Sequence, residues 1–89
     1  MPTVSVPPSY RGPTQGEAEI AVDGNSVRSC LEAVEAKHPG FLELILSAHG
    51  EIHRFVQIFV DEEPVAPEDL DAPIEPAAQL TVVAAIAGG

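Results

Sequence analysis

The chain has 89 residues, of which 45% are hydrophobic, and its formal net charge at pH 7 is −10. This length supports a single domain with one hydrophobic core, and the apolar content is too high for a disordered acidic segment. With only four Lys and Arg residues, the chain lacks the clustered positive charge that nucleic acids and anionic membranes require. Its negative charge either serves solubility alone or also steers it toward a basic partner.

The first 22 residues predict a β-hairpin. Polar and apolar residues alternate over residues 3–6 and again over residues 17–22, as expected of half-buried strands. The residues between them, 7–16, contain three prolines and two glycines and predict a loop. Tyr10 is the one residue of this loop that we expect to pack on the core.

An amphipathic helix is predicted after the hairpin. Ser26 or Asn25 is its expected N-cap, and the sequence His38-Pro39-Gly40 is expected to end it. Between these points Val27, Cys30, Leu31 and Val34 recur at helical spacing and define a buried face. His38 follows at the same spacing and is interpreted as a helix-end residue favoured by the helix dipole. Residues 41–46 form a short apolar run that predicts one further helical turn.

The second half of the chain predicts the rest of a sheet. Residues 54–60 predict a strand, Asp61-Glu62-Glu63 a turn, and Pro64-Val65 a short edge strand. Residues 64–78 contain four prolines and predict irregular structure. The apolar, β-branched run 79–87 predicts the last strand.

The element order β-β-α-β-(β)-β predicts an α+β fold. The first and last strands are both apolar enough to lie centrally. This is the arrangement of a β-grasp, or ubiquitin-like, roll with a four- to five-stranded mixed sheet and one main helix. We expect residues 1–87 to form this domain and Gly88-Gly89 to form a flexible tail, since glycine adopts almost any backbone conformation. Residues 86–89 are expected to detach from the sheet.

Period-two alternation assigns the side chains of the two long strands to opposite faces of the sheet. The inward set faces Val27, Leu31 and Val34 and comprises Val56, Ile58, Val60, Leu80, Val82 and Ile86. Clustered, exposed apolar residues are typical of a partner site. The predicted partner-binding residues are Phe55, Gln57, Phe59, Val83, Ala85, Ile86 and Ala87. The alternative is that residues 41–46 or 64–78 cover this face.

No group of side chains in the sequence predicts catalysis or metal binding. Cys30 lies on the buried helix face and is interpreted as a small core residue. His49 and His53 are four residues apart, but a glycine separates them and they are interpreted as loop residues, while Asp61-Glu62-Glu63 is interpreted as a solvated turn. We therefore predict that the chain is not an enzyme, and that any chemistry it has lies on the Gly89 carboxylate.

Three features predict where the protein is found. No apolar run is long enough to span a bilayer, and residues 1–4 lack the basic and apolar regions of a signal peptide. The single cysteine, Cys30, cannot form an internal disulfide, which fits a reducing compartment. We expect a cytoplasmic protein, monomeric on its own, that binds neither nucleic acid nor membrane.

Three stretches of the chain, together with the final Gly88-Gly89, resemble a known family. They are Val4-Ser5-Val6-Pro7 with its long loop, His53-Arg54-Phe55-Val56-Gln57-Ile58-Phe59-Val60, and Ala85-Ile86-Ala87-Gly88-Gly89. The resemblance is to the ubiquitin-like sulfur-carrier proteins of the ThiS, MoaD and CysO types, and most to the CysO type, the carrier of cysteine biosynthesis. One stretch differs: Gly-Asp is common before the last strand of this family, whereas Pro76-Ala77-Ala78-Gln79 stands here, which leaves the turn geometry open.

The resemblance implies a cycle of activation and sulfur transfer. A ubiquitin-activating-like enzyme, of the E1-like ThiF or MoeB type, would use ATP to adenylate the Gly89 carboxylate. A sulfur source would displace AMP and leave a thiocarboxylate, which a sulfur-accepting biosynthetic enzyme would consume. No tightly bound cofactor is implied, since ATP is used by the activating enzyme. Cysteine, a thiosugar or another natural product, thiamin and molybdopterin all stay open as final products.

Two other functions are compatible with the same sequence. A protein modifier would use the same tail to form isopeptide bonds with lysines of other proteins, although Lys37, as the only lysine, argues against self-linked chains of varied linkage. A β-grasp interaction subunit would have an inert tail.

Overall fold

A computed structural model describes residues 1–7, 10, 12 and 14–84 of the chain. The predictions made for Ala85, Ile86, Ala87, Gly88 and Gly89 therefore lie outside the described residues. Within the part that is described, no helix is long and apolar enough to cross a membrane.

Five strands form one mixed sheet. In chain order they are β1 (Thr3–Ser5), β2 (Glu19–Ala21), β3 (Val56–Val60), β4 (Glu63–Pro64) and β5 (Gln79–Ala84). Their spatial order is β2-β1-β5-β3-β4. Strands β1 and β5 are parallel, and every other neighbouring pair is antiparallel. The opening hairpin and the interior positions of the first and last strands are as predicted.

The main helix, α1, spans Val27–Lys37 and is capped as the sequence indicates. The Ser29 backbone N–H donates to Ser26 Oγ at 3.1 Å, and the Ser26 backbone N–H donates to Ser29 Oγ at 3.0 Å. Ser26 is therefore the N-cap, and Asn25 is not. His38 is the C-cap, and Gly40 turns the chain at a φ of 101°. A short helix, α2 (Leu42–Ile45), follows as predicted.

The core lies between α1 and the inner face of the sheet. Helix α1 contributes Val27, Cys30, Leu31 and Val34, all buried. The sheet contributes the predicted inward residues, of which Val56, Ile58, Leu80 and Val82 are buried and Val60 is partly buried. Ile86, the remaining member of the predicted set, lies outside the described residues. Tyr10 packs against the core from its loop, as predicted.

Two strands begin later than the alternation pattern predicts. Strand β3 begins at Val56 rather than at residue 54, because the Val56 N–H donates to the His53 carbonyl oxygen at 3.0 Å and closes a turn. Strand β2 begins at Glu19 rather than at residue 17. There, the Glu17 N–H donates to the Thr14 carbonyl oxygen at 3.1 Å. In both places a turn hydrogen bond forms at the start of the alternating stretch, and the strand begins two residues later than the alternation does.

The segment that differs from the family pattern nevertheless forms a turn before β5. The Ala78 N–H donates to the Glu75 carbonyl oxygen at 3.1 Å, and Ala78 is buried. The next residue, Gln79, exchanges two bonds with Asp61: its N–H donates to Asp61 Oδ1 at 3.0 Å, and the Asp61 N–H donates to its carbonyl oxygen at 2.9 Å. These bonds fix the start of β5 without the Gly-Asp pair.

Candidate partner surface and C-terminal site

The sheet register places the point from which the chain continues toward Gly88-Gly89. Ala84, the last described residue, is paired with Val56 at the start of β3. On the other side of β5, the parallel strand β1 ends at Ser5, which is paired with Thr81. The chain therefore leaves the described region at the end of the sheet where β3 begins and β1 ends. We call this end of the sheet the exit end.

Several predicted partner-binding residues share the outer face of the sheet near the exit end. Gln57 is paired with Val83, and Phe59 with Thr81, so each pair projects from the same face. Gln57 is exposed, Val83 is 39% exposed and Phe59 is half-buried. Phe55, in the turn before β3, is 46% exposed. We refer to Phe55, Phe59 and Val83 as the outer patch.

The segments that could have covered the outer patch pack elsewhere. Phe41, Ile45 and Leu46, from residues 41–46, are buried in the core, and so is Leu70, from residues 64–78. Only Pro64 of the second segment is a cross-strand neighbour of the patch, since it is paired with Phe59. The patch therefore stays open to solvent at Phe55 and Val83.

A cation that the sequence pattern does not predict as part of the site, Arg54, lies beside the outer patch. The guanidinium carbon of Arg54 lies 5.5 Å from the centroid of the Phe55 ring, within the range of a cation–π interaction. Both residues are exposed. The signal in the sequence was the Arg-Phe pair at the start of a strand, but the contact depends on the turn that precedes β3.

The cysteine is a core residue, as predicted. Cys30 is fully buried, and burial, followed by the negative charge of Asp23, raises the pKa of its thiol above the ordinary value. Its thiol is therefore protonated at neutral pH and poorly nucleophilic. The backbone of Gly24 packs so closely that a Cβ there would lie 2.9 Å from Cys30 Sγ. This close approach explains why a glycine occupies the turn before α1.

The histidines take structural positions. His49 and His53 lie in the loop between α2 and β3, as predicted, and His53 Nε2 lies 3.0 Å from the carbonyl oxygen of Glu43. Among the described residues, no three His, Cys, Asp or Glu side chains are grouped so that they could hold a metal ion. The candidate functional site therefore comprises the outer patch, Arg54 and the residues that follow Ala84 in the sequence.

Comparisons with known proteins agree with this geometry. A family model described as the ThiS family matches residues 9–89. The sulfur carrier protein CysO of Mycobacterium tuberculosis is 32% identical over 90 residues, covering 98% of this chain and 97% of that protein. Among solved structures, the crystal structure of the Amycolatopsis orientalis BexX/CysO complex matches with a TM-score of 0.88 and 32% identity, covering 100% of both chains.

The crystal structure of Mycobacterium tuberculosis CysO also matches, with a TM-score of 0.88 and 29% identity, covering 97% of this chain and 100% of that chain. These matches confirm the predicted β-grasp fold. They also confirm the resemblance to sulfur carriers that was based on the three sequence stretches. The chain belongs to the ThiS family.

Proposed function

We propose that the protein is a sulfur carrier rather than an enzyme, and that the Gly89 carboxylate carries the sulfur as a thiocarboxylate. The observation that carries this proposal is the position of Gly88-Gly89, which follow β5 in a chain of the ThiS family. The name of its relative in Mycobacterium tuberculosis, sulfur carrier protein CysO, supports the same role.

The proposed chemistry needs an activating enzyme, because a carboxylate is a poor electrophile. An E1-like enzyme of the ThiF or MoeB type joins the Gly89 carboxylate to the α-phosphate of ATP and releases pyrophosphate. Sulfide, or an equivalent sulfur nucleophile, then attacks the carbonyl carbon: a C–S bond forms, the C–O bond to AMP breaks, and AMP leaves. The tethered thiocarboxylate has a high effective concentration in the pocket of an acceptor enzyme.

The carrier supplies recognition and reach, while its partners supply catalysis. Residues 85–89 separate the described sheet from the carboxylate, and five extended residues span at most about 17 Å. The reacting carbon therefore works within that distance of Ala84, close to the outer patch. We propose that the patch docks on the activating enzyme, and that a sulfur-accepting biosynthetic enzyme uses the same end of the molecule. The solved BexX/CysO complex supports the idea of dedicated protein partners.

The final acceptor follows from the partner enzyme rather than from the carrier. We propose that the sulfur enters cysteine or another sulfur-containing biosynthetic product such as a thiosugar, with thiamin and molybdopterin as the other outcomes. Incubation of the thiocarboxylated carrier with candidate acceptor enzymes, and mass analysis of the small-molecule product, distinguishes these outcomes.

The carrier function is tested by intact-mass analysis after incubation with ATP, the activating enzyme and a sulfur donor. We expect one oxygen to be replaced by sulfur and a thiol-alkylating reagent to label Gly89. Cys30 is expected to be labelled only after denaturation, because its thiol is buried. Attachment to lysines of other proteins would indicate a modifier, and a chain that stays unmodified would indicate an inert interaction subunit.

Truncation of the outer patch is expected to weaken docking. Phe55→Ala and Phe59→Ala should each raise the Kd for the activating enzyme roughly 5- to 30-fold, the range of aromatic residues that contribute strongly to interfaces. Isothermal titration with the intact carrier measures this change. Phe55 is the cleaner probe, because it is 46% exposed and its removal leaves the core intact.

Two controls accompany this measurement. Glu32→Ala changes an exposed residue of α1, distant from the outer face, and should leave the Kd unchanged. Wild-type affinity in both folded phenylalanine variants would remove the outer patch from the interface.

A further inference from the structure

The positively charged side chains of this acidic chain differ in the contacts that they make. Arg28 donates through Nε to Asp71 Oδ1 at 2.8 Å and through Nη1 to the Gly50 carbonyl oxygen at 3.1 Å. Lys37 Nζ donates to the carbonyl oxygen of Ala21 at 3.0 Å. Arg11 lies outside the described residues. Within the described part of the chain, Arg54 makes no hydrogen bond or ion pair, and its recorded contact is the Phe55 ring.

Charge is distributed unevenly along β3. Arg54 lies in the turn at the exit end, two residues before Val56, where β3 begins. At the opposite end of β3, the turn into β4 carries Asp61, Glu62 and Glu63, all exposed. Along β3, one positive charge therefore lies at the exit end and three negative charges lie at the other end, in a molecule whose net charge is −10. The exposed Glu19 of β2, paired with Ser5, also lies at the exit end, so this positive charge is local to the start of β3.

We propose that Arg54 pairs with a carboxylate on the docking surface of the activating enzyme and so fixes the orientation in which the carrier docks. This inference rests on the proposed function. A partner that attracts a chain of charge −10 presents a surface that is positive overall. An arginine facing such a surface would be repelled unless a local carboxylate meets it.

A single positive charge at one end of β3 discriminates between two docking orientations of the carrier. If the outer face docks with its two ends exchanged, Arg54 meets the positive part of the partner, and the acidic turn meets the carboxylate. Like-charge contacts of this type are unfavourable, so they suppress the wrong orientation. In the correct orientation the exit end faces the carboxylate, and the segment beyond Ala84 is directed to the reaction centre.

The stacking on Phe55 explains why an arginine suits this role. Its planar guanidinium can stack on an aromatic ring and still bind a carboxylate in bidentate fashion, which the ammonium group of lysine cannot do. Stacking also restricts the side chain before binding, so less conformational entropy is lost in the complex. The same stacking keeps the guanidinium beside the turn before β3, whereas an extended segment 85–89 could carry the Gly89 carboxylate up to about 17 Å beyond Ala84. These points favour a partner carboxylate over a nucleotide phosphate as the group that Arg54 binds.

The test compares Arg54→Glu with Lys37→Glu in the intact carrier. Both variants replace one positive charge by one negative charge, so the net charge is the same. We expect Arg54→Glu to weaken binding to the activating enzyme by about 30-fold or more, an effect that should shrink at high salt. Lys37→Glu should not weaken binding. Arg54→Lys should give an intermediate loss, because the charge is kept and the bidentate geometry is lost.

Rescue identifies the partner group. Replacing the facing carboxylate of the activating enzyme with arginine should restore the binding of Arg54→Glu. Equal Kd values for the wild type and Arg54→Glu, or equal weakening by Lys37→Glu, would overturn the inference. Normal binding with slower adenylation at saturating carrier would also overturn it, and would assign Arg54 to the nucleotide instead. Thiocarboxylate formation by the wild type is scored separately, so failure of the proposed function is distinguished from failure of the Arg54 assignment.

Discussion

Deletion of Gly89 is expected to abolish thiocarboxylate formation without unfolding the protein. The deletion moves the terminal carboxylate back by one residue, about 3.5 Å in an extended chain. Reacting atoms must approach to roughly 3–3.5 Å in the correct alignment, so a displacement of this size prevents attack on ATP. The fold is expected to persist, because the last buried hydrophobic residue of the described core is Val82.

Gly89→Ala tests the same position with the length unchanged. A methyl group widens the terminal residue and restricts its backbone conformations, and misplacement by about 1 Å can cost on the order of 10²-fold in rate. We expect a loss of that size in the rate of thiocarboxylate formation, followed by intact mass over time. Gly12→Ala is the matched control, since a Cβ there meets nothing within 4 Å.

The two variants give a clear pair of outcomes. Unchanged melting temperatures with lost activation would show that Gly89 is needed for thiocarboxylate formation and not for folding. Thiocarboxylate formation at the wild-type rate by the deletion variant would show that the activating enzyme does not require this terminus, and would contradict the carrier proposal.

Much of the fold follows from local patterns in the sequence. Proline and glycine clusters mark the turns, and the spacing of Val27, Leu31 and Val34 marks the buried face of α1. The choice between Asn25 and Ser26 as N-cap did not follow, because a capping box usually has Glu or Gln at its fourth position. Here Ser29 fills that position and exchanges hydrogen bonds with Ser26.

The geometry of the turns was harder to predict from the sequence than the order of the elements. The hairpin from β3 to β4 turns through Asp61 and Glu62, with φ values of 49° and 74°. Two-residue turns of this kind favour Asn-Gly or Asp-Gly, so the sequence predicted a turn but not this tight one. The bonds between Asp61 and Gln79 hold it in place, and they join residues far apart in sequence.

The candidate site also has parts that the sequence predicts and parts that it does not. Alternation along β3 and β5 correctly predicted the inward and outward faces, because a sheet with one buried face leaves no other register. The contact between Arg54 and Phe55 did not follow, since it requires a turn where the pattern predicted a strand. The close approach of Gly24 to Cys30 could not be predicted from the sequence either. Sequence patterns therefore predicted the outward face of the sheet, whereas the position of the Arg54 guanidinium on the Phe55 ring depends on the local turn before β3.

Leu31→Ala is expected to produce the largest loss of stability among single truncations on α1. Leu31 is fully buried at the centre of the helix face that packs on the sheet. Removing a buried leucine side chain costs about 2–5 kcal/mol, through lost apolar burial and the cavity that remains. A domain of this size has a free energy of unfolding of only about 5–15 kcal/mol. The melting temperature should therefore fall by roughly 10–30 °C.

Urea denaturation of the wild type and Leu31→Ala measures this loss, and an unchanged m-value would show that stability alone has changed. Glu32→Ala, at the neighbouring exposed position, should stay within about 0.5 kcal/mol of the wild type. Equal stabilities for Leu31→Ala and the wild type would contradict the packing of α1 on the sheet. At temperatures where Leu31→Ala is still folded, it should be activated at the wild-type rate, because the outer patch and the terminal glycines are unaltered.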